Sequence, residues 1–139
     1  MSTSSANTAT SSANTAAWVL YQYPGCDTCR KARKWLDARG VAYTAIHIVD
    51  APPTADQLRT LWQRSGLPLK KLFNTAGQSY RNGGFKDRLP KLSESEALDA
   101  LAADGKLIKR PLFDAGKHVF VGFRETEWAE VIPPEAKTL

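Results

Sequence analysis

The stretch that most restricts the fold of this 139-residue chain runs from Trp18 to Val49, WVLYQYPGCDTCRKARKWLDARGVAYTAIHIV. Trp18 to Tyr23 is dense in aromatic and aliphatic strand formers, and Pro24-Gly25 ends it as a turn. From Asp27 to about Arg39, Ala32, Trp35 and Leu36 share one helical face, and Gly40 supplies the C-terminal stop. Val41 to Val49 alternates as a second strand. Strand, helix and strand within about thirty residues make a βαβ unit, whose two strands run parallel.

The rest of the chain must complete that unit. Two prolines at 52 and 53 break the second strand. Thr54 with Gln57 forms a capping box ahead of a helix with Leu58, Leu61 and Trp62 as its apolar stripe and Gly66 as its end. Residues 67–92 are irregular, with short helical pieces at best. Ser93 with Glu96 caps another helix that presents Ala97, Leu98, Leu101 and Ala102 to the core and stops at Gly105. Leu112–Phe113 and His118–Phe123 read as short strands joined by a hairpin turn at DAGK. RETEWAEVI gives a last short helix. This order predicts an α/β fold, a four-stranded mixed sheet flanked by helices, as in the thioredoxin-like fold. The helices at about 52–106 are expected to be an insertion within one domain spanning 18–139.

Residues 1–17, MSTSSANTATSSANTAA, carry neither charge nor aromatic side chains. They lack the apolar area to offset ordering entropy and are expected to be a disordered low-complexity leader. They have no basic or apolar region of a secretory signal. No run is long enough for a membrane-spanning helix. The expected location is cytoplasmic, and the expected state is a monomer.

The chain has two cysteines, Cys26 and Cys29, and two histidines, His47 and His118. A structural zinc site needs four ligands, and the histidines are isolated in strand segments, so no metal is expected. In a reducing compartment a lone cysteine pair is rarely a structural staple. The remaining reading is a redox couple. Cys26 falls where a helix begins, where unpaired backbone N–H groups and the helix dipole stabilise a thiolate. Cys29 lies one turn further in, toward the core stripe, and can attack a mixed disulfide on Cys26. Arg30 and Arg33 fall on the side of Cys26 and favour a thiolate, while Asp27 opposes them. The formal net charge of +5 suits anionic small molecules or acidic protein surfaces. The basic residues are scattered and no nucleic-acid-binding motif is present, so direct nucleic-acid binding is not expected.

YPGCDTCRKARKWLDARG, GLPLKKLFNT, LIKRPLF and VGFRETEW, in this order between Val19 and Ile132, resemble the arsenate reductase family, which includes the Spx-type transcriptional regulators. The resemblance implies a thioredoxin-like fold with an inserted helical subdomain. It places the nucleophile at Cys26, oxyanion-binding arginines at Arg110 and Arg124, and at Pro111 the proline, generally cis, that faces the active cysteine. Paired guanidinium hydrogen bonds are the physical basis of such oxyanion binding. The third arginine position of the family is Asn74 here, which leaves the clamp short of one charge; Lys70, Lys71, Arg81 and Lys86 are the cations that could compensate. Cys29 is a second departure, since family members that work with glutaredoxin usually take the second thiol from glutathione. The function implied is a thiol-dependent oxidoreductase that reduces arsenate, a disulfide or another oxidised thiol. No bound cofactor is expected, and glutathione, glutaredoxin or thioredoxin is the electron donor. The alternative is a redox-switched regulator that binds RNA polymerase.

Overall fold

In a computed structural model, residues 18–132 are described; the leader expected at 1–17 lies outside them. Four strands, β1 (Val19–Gln22), β2 (Thr44–His47), β3 (Leu112–Ala115) and β4 (His118–Val121), form one sheet in the order β2-β1-β3-β4. β1 pairs parallel with β2 and antiparallel with β3, and β3 pairs antiparallel with β4. The helices are α1 (Asp27–Ala38), α2 (Ala55–Ser65), α3 (Gln78–Asn82), α4 (Phe85–Arg88), α5 (Glu94–Ala103) and α6 (Glu125–Val131). This is the mixed, helix-flanked thioredoxin-like sheet that the element order predicts.

Side chains alternate across the sheet with the strand period of two. Leu20, Phe113, Ala115 and Phe120 face α1 and α6, where they meet Ala32, Trp35, Leu36 and Trp128. Tyr21, Leu112, Val119 and Val121 face the other way, onto Leu58, Leu61, Leu98, Leu101, Leu107 and Ile108. Each fully buried leucine, isoleucine or phenylalanine among them contributes about 1.5–3 kcal/mol relative to exposure. Trp128 is fully buried, stacked on Phe113 at 5.0 Å and edge-on to Phe123 at 4.8 Å between ring centroids.

Both predicted capping boxes are present. Thr54 Oγ1 accepts from Gln57 N–H at 3.1 Å and Ser93 Oγ from Glu96 N–H at 3.1 Å, and each glutamine or glutamate returns the bond to its cap residue. Several boundaries differ from the sequence reading. β2 is shorter than 41–49, because Val41 N–H still bonds back to Leu36 O at 3.2 Å and its side chain is buried beside α1. β3 runs on to Ala115, while β4 stops at Val121. Gly105 is not the stop of α5: that helix ends on Asp104 as C-cap, and Gly105 opens a 3₁₀ turn at Gly105–Leu107. Gly105 is there for contact, since a Cβ on it would collide with the carbonyl oxygen of Ile48.

Residues 67–92 hold 3₁₀ turns at Leu69–Leu72 and Leu89–Lys91 around the short α3 and α4. A single bridge, Phe73 with Ile108, pins this segment to the approach of β3. Lys109 N–H to Leu72 O at 2.7 Å and Asn74 N–H to Leu107 O at 2.8 Å flank it. These bonds lay KKLFN alongside LIKRP, two stretches more than thirty residues apart in the chain.

Candidate active site

Cys26 is the N-cap residue of α1, with extended backbone (φ −98°, ψ 118°). The Pro-Gly turn places it there, with Cys26 N–H bonded to Tyr23 O at 3.0 Å. Its sulfur occupies the position of a capping oxygen and accepts from Cys29 N–H at 3.3 Å. One of the unpaired donors at the helix start is thereby spent on the sulfur. Burial alone would raise the Cys26 pKa. Hydrogen bonds from the Cys29 backbone and thiol, and the Arg110 guanidinium, outweigh it and hold the pKa below the ordinary value of 9.

Cys29 is fully buried on the inner face of α1. Burial, reinforced by the neighbouring Cys26 sulfur, pushes its thiol up to about 12. Both thiols are free. The pair is therefore unequal in the direction expected of a redox couple: an accessible thiolate former and a protonated thiol one turn inward.

Arg110 precedes the cis Arg110–Pro111 bond, and Pro111 is buried. The Arg110 guanidinium lies over the Tyr23 ring at 5.2 Å and donates to Lys106 O at 3.3 Å, while its buried Nε has no partner. Tyr23 thus shapes the site from two sides, through its carbonyl to Cys26 and its ring to Arg110. Arg124 is the N-cap residue of α6, largely exposed, with Nη1 3.5 Å from Glu127 Oε2. Arg30 and Arg33, expected beside Cys26, are engaged elsewhere: Arg30 pairs with Asp27 and Arg33 donates to Gln22 Oε1.

Arg110 also lines a cleft of about 690 Å³; neither cysteine lines it, and Arg110 and Thr28 are its link to the start of α1. Thr28 of α1, Lys70 and Lys71 of the first 3₁₀ turn, Lys109, and Arg124 stand around it, with Phe73, Val121 and Phe123 as apolar wall. Lys70 and Lys71 are the two expected compensating cations that reach the cleft. Arg81 instead donates to Ala76 O at 2.9 Å, and Lys86 lines a separate pocket against α5. Asn74 is not among the cleft-lining residues; its amide packs on Gly77 within its own turn, and its backbone anchors KKLFN to Leu107. Lys109 and Tyr23 were not singled out by sequence reasoning. Lys109 adjoins Arg110 in the KRP segment, which was the available signal, and its side chain lies over Gly122, whose φ of +81° is a conformation that favours glycine.

His47 Nδ1 accepts from Asp50 N–H at 3.2 Å, and His118 is exposed beside Phe120. Among the described residues, no three of His, Cys, Asp and Glu converge as metal ligands. None of their helices is long and apolar enough to cross a membrane.

Residues 21–131 match the model of the ArsC family. The chain belongs to the ArsC family. It is 50% identical over 112 residues to the uncharacterized protein YusI of Bacillus subtilis, covering 81% of this chain and 95% of YusI. It is 48% identical to "a possible arsenate reductase" from Streptococcus mutans, with a TM-score of 0.74 over 78% of this chain and 92% of that one. Global transcriptional regulator Spx 1 of Lactococcus lactis is 28% identical, over 84% of this chain and 89% of that protein. The ArsC match takes in the cysteine pair, the cis-proline segment and Arg124, so the site lies inside the family region.

Proposed function

We propose that this ArsC-family protein is a thiol-dependent reductase with Cys26 as nucleophile and Cys29 as resolving thiol. The observation that carries the reading is Cys26 at the start of α1, bonded by Cys29 N–H and with its pKa lowered by Arg110, and Cys29 buried one turn inward. The Cys26 thiolate attacks one sulfur of a disulfide, forms a mixed disulfide and expels the other half as a thiolate. Cys29 loses its proton to that leaving thiolate or to water and attacks the Cys26 sulfur. The second half leaves, and the enzyme holds a Cys26–Cys29 disulfide; two electrons have passed to the substrate. Glutathione, a glutaredoxin or a thioredoxin returns them. With arsenate, the Cys26 sulfur replaces an oxygen on arsenic, which leaves as water. Thiol attack on that sulfur then releases arsenite. Arg110 and Arg124 steady the negative charge, and Pro111 fixes the backbone facing the thiol. Asn74 holds the KKLFN segment in place.

Thiol-coupled reduction of disulfides and of arsenate, compared in wild type, Cys26→Ser and Cys29→Ser, tests this. Cys26→Ser is expected to abolish every activity, and Cys29→Ser to accumulate a mixed disulfide visible by intact mass. Wild-type protein inert with both substrates and every donor sinks the reading.

A second reading follows from the similarity to Spx 1: a Cys26–Cys29 switch on a protein that binds RNA polymerase. It needs no substrate cleft, whereas the basic cleft that Arg110 and Thr28 line favours turnover. Failure to retain RNA polymerase in either redox state eliminates it.

A further inference from the structure

The cleft is larger than a tetrahedral oxyanion requires. Its volume of about 690 Å³ lies in the range, roughly 300–1,000 Å³, of pockets that enclose whole organic ligands. Its charge is one-sided: Lys70, Lys71, Lys109, Arg110 and Arg124 line it against Glu127 alone, which is already paired with Arg124. Among the described residues, Lys70, Lys71 and Lys109 have no carboxylate within ion-pair distance. Lys70 and Lys71 sit on a different segment from the thiol, and the backbone bonds of Leu72 to Lys109 and of Asn74 to Leu107 hold that segment in register with Arg110. Phe73, Val121 and Phe123 supply apolar surface alongside. A ligand that spans this space has a reactive group at Arg110, an apolar arm, and negative charge at the lysines.

We infer that the substrate taken by this cleft is an organic disulfide whose halves carry negative charge, carboxylate or phosphate, on aliphatic arms. This rests on the proposed reductase chemistry and names its substrate class. The disulfide sulfur meets Cys26 at the Arg110 end, and the anionic arm extends toward Lys70, Lys71 and Lys109. The chemistry is the exchange given above: one substrate S–S bond breaks, one Cys26–S bond forms, and Cys29 then completes a two-electron reduction of the substrate to two thiols. Focused positive potential in a low-dielectric cleft raises the encounter rate with anions and is screened by salt.

The test is single-turnover kinetics of the reduced full-length protein, following loss of the Cys26 thiolate by its ultraviolet absorbance. Four probes are compared: cystamine (cationic), hydroxyethyl disulfide (neutral), dithiodipropionate (carboxylate) and coenzyme A disulfide (phosphate). After correction for each probe's rate with a free thiol, the anionic disulfides are expected to react at least about tenfold faster than the neutral one at low salt. Cystamine should be slowest, and added salt should compress the series. The carboxylate and phosphate arms decide which anion the lysines prefer. Lys70→Glu/Lys71→Glu should erase the anion-to-neutral ratio. Lys34→Glu/Lys117→Glu, the same charge change on exposed positions away from the cleft, should preserve it. Equal corrected rates for all four probes, or a ratio that both double variants reduce alike, overturns the inference and leaves the reductase reading standing. No reaction with any disulfide overturns the inference and the disulfide half of the reductase reading, and inertness toward arsenate as well overturns that reading whole.

Discussion

On the face of the sheet covered by α1 and α6, the packing is aromatic and closed: Trp35, Phe113, Phe120, Phe123 and Trp128 stack or meet edge-on around one another. On the opposite face the core is mostly aliphatic between the sheet, α2 and α5, and its edge is built from short turns and the single Phe73–Ile108 bridge. The two faces supply different parts of the site. The aromatic face fixes α1, and with it the positions of Cys26 and Cys29. The other face delivers Lys70 and Lys71, and the segment between them and β3 delivers Lys109 and Arg110. The proposed reading puts thiol chemistry on the aromatic side and substrate choice on the side of short turns.

Breaking the aromatic face should have the largest effect on stability. Trp128→Ala is expected to cost about 3–5 kcal/mol, read from urea unfolding, and to loosen α1 against the sheet. A loss under 1 kcal/mol would show that this face does not hold α1. Gly105→Ala probes the other face, forcing a Cβ into the Ile48 carbonyl, and is expected to cost about 1–3 kcal/mol. Its signature is a change in the reach of Lys109 and Arg110, seen as altered anion selectivity, with little change in reaction with a neutral disulfide.

The two thiols give stability opposite dependences on pH. The Cys29 pKa is raised from 9 to about 12 on folding, so its contribution is fully present below 9 and is lost as pH climbs toward 12. The stability gap between wild type and Cys29→Ser, measured under reducing conditions, should narrow across that window. The Cys26 pKa is lowered, so its contribution is present above its unfolded value and is lost as pH falls through the folded one. A gap that is flat from 9 to 12 would contradict the burial of Cys29 as a protonated thiol.

The smallest effect is expected at the strap between the two regions. Arg64 of α2 donates to both carboxylate oxygens of Asp114 in β3, at 2.8 and 3.0 Å. Both residues are partly exposed, so Arg64→Ala should cost only about 1 kcal/mol in thermal or urea unfolding and leave thiol reactivity unchanged.

The aromatic face was readable from the sequence because its signals are local. The Pro-Gly turn, the Ala32–Trp35–Leu36 stripe and the Gly40 stop lie within one βαβ unit; on the other face, α2 and α5 were readable for the same reason, since the capping boxes at Thr54 and Ser93 each need only four residues. The unequal cysteines followed from helix position alone. The cleft was not readable in the same way. Its walls meet through a bridge between Phe73 and Ile108, and no periodicity reports a contact across that separation. Arg110 and Arg124 came from the motif resemblance, whereas the share of Lys70, Lys71 and Lys109 in one cleft depends on the backbone bonds of Leu72 and Asn74. Asn74 stands where the resemblance implies an arginine, yet its side chain packs within its own turn. Gly105 shows the same limit at one residue: a glycine after a helix reads as a stop, and only the packing reveals that Ile48 needs the space.

The central claim is that the helix start and Arg110 together make Cys26 the reactive thiol. The most direct test is the pH dependence of Cys26 alkylation in the reduced protein, in wild type and Arg110→Ala. The account predicts a midpoint below 9 in the wild type that moves up in the variant, with Cys29 unreacted throughout. A wild-type midpoint at or above 9, or one that Arg110→Ala leaves in place, would contradict it.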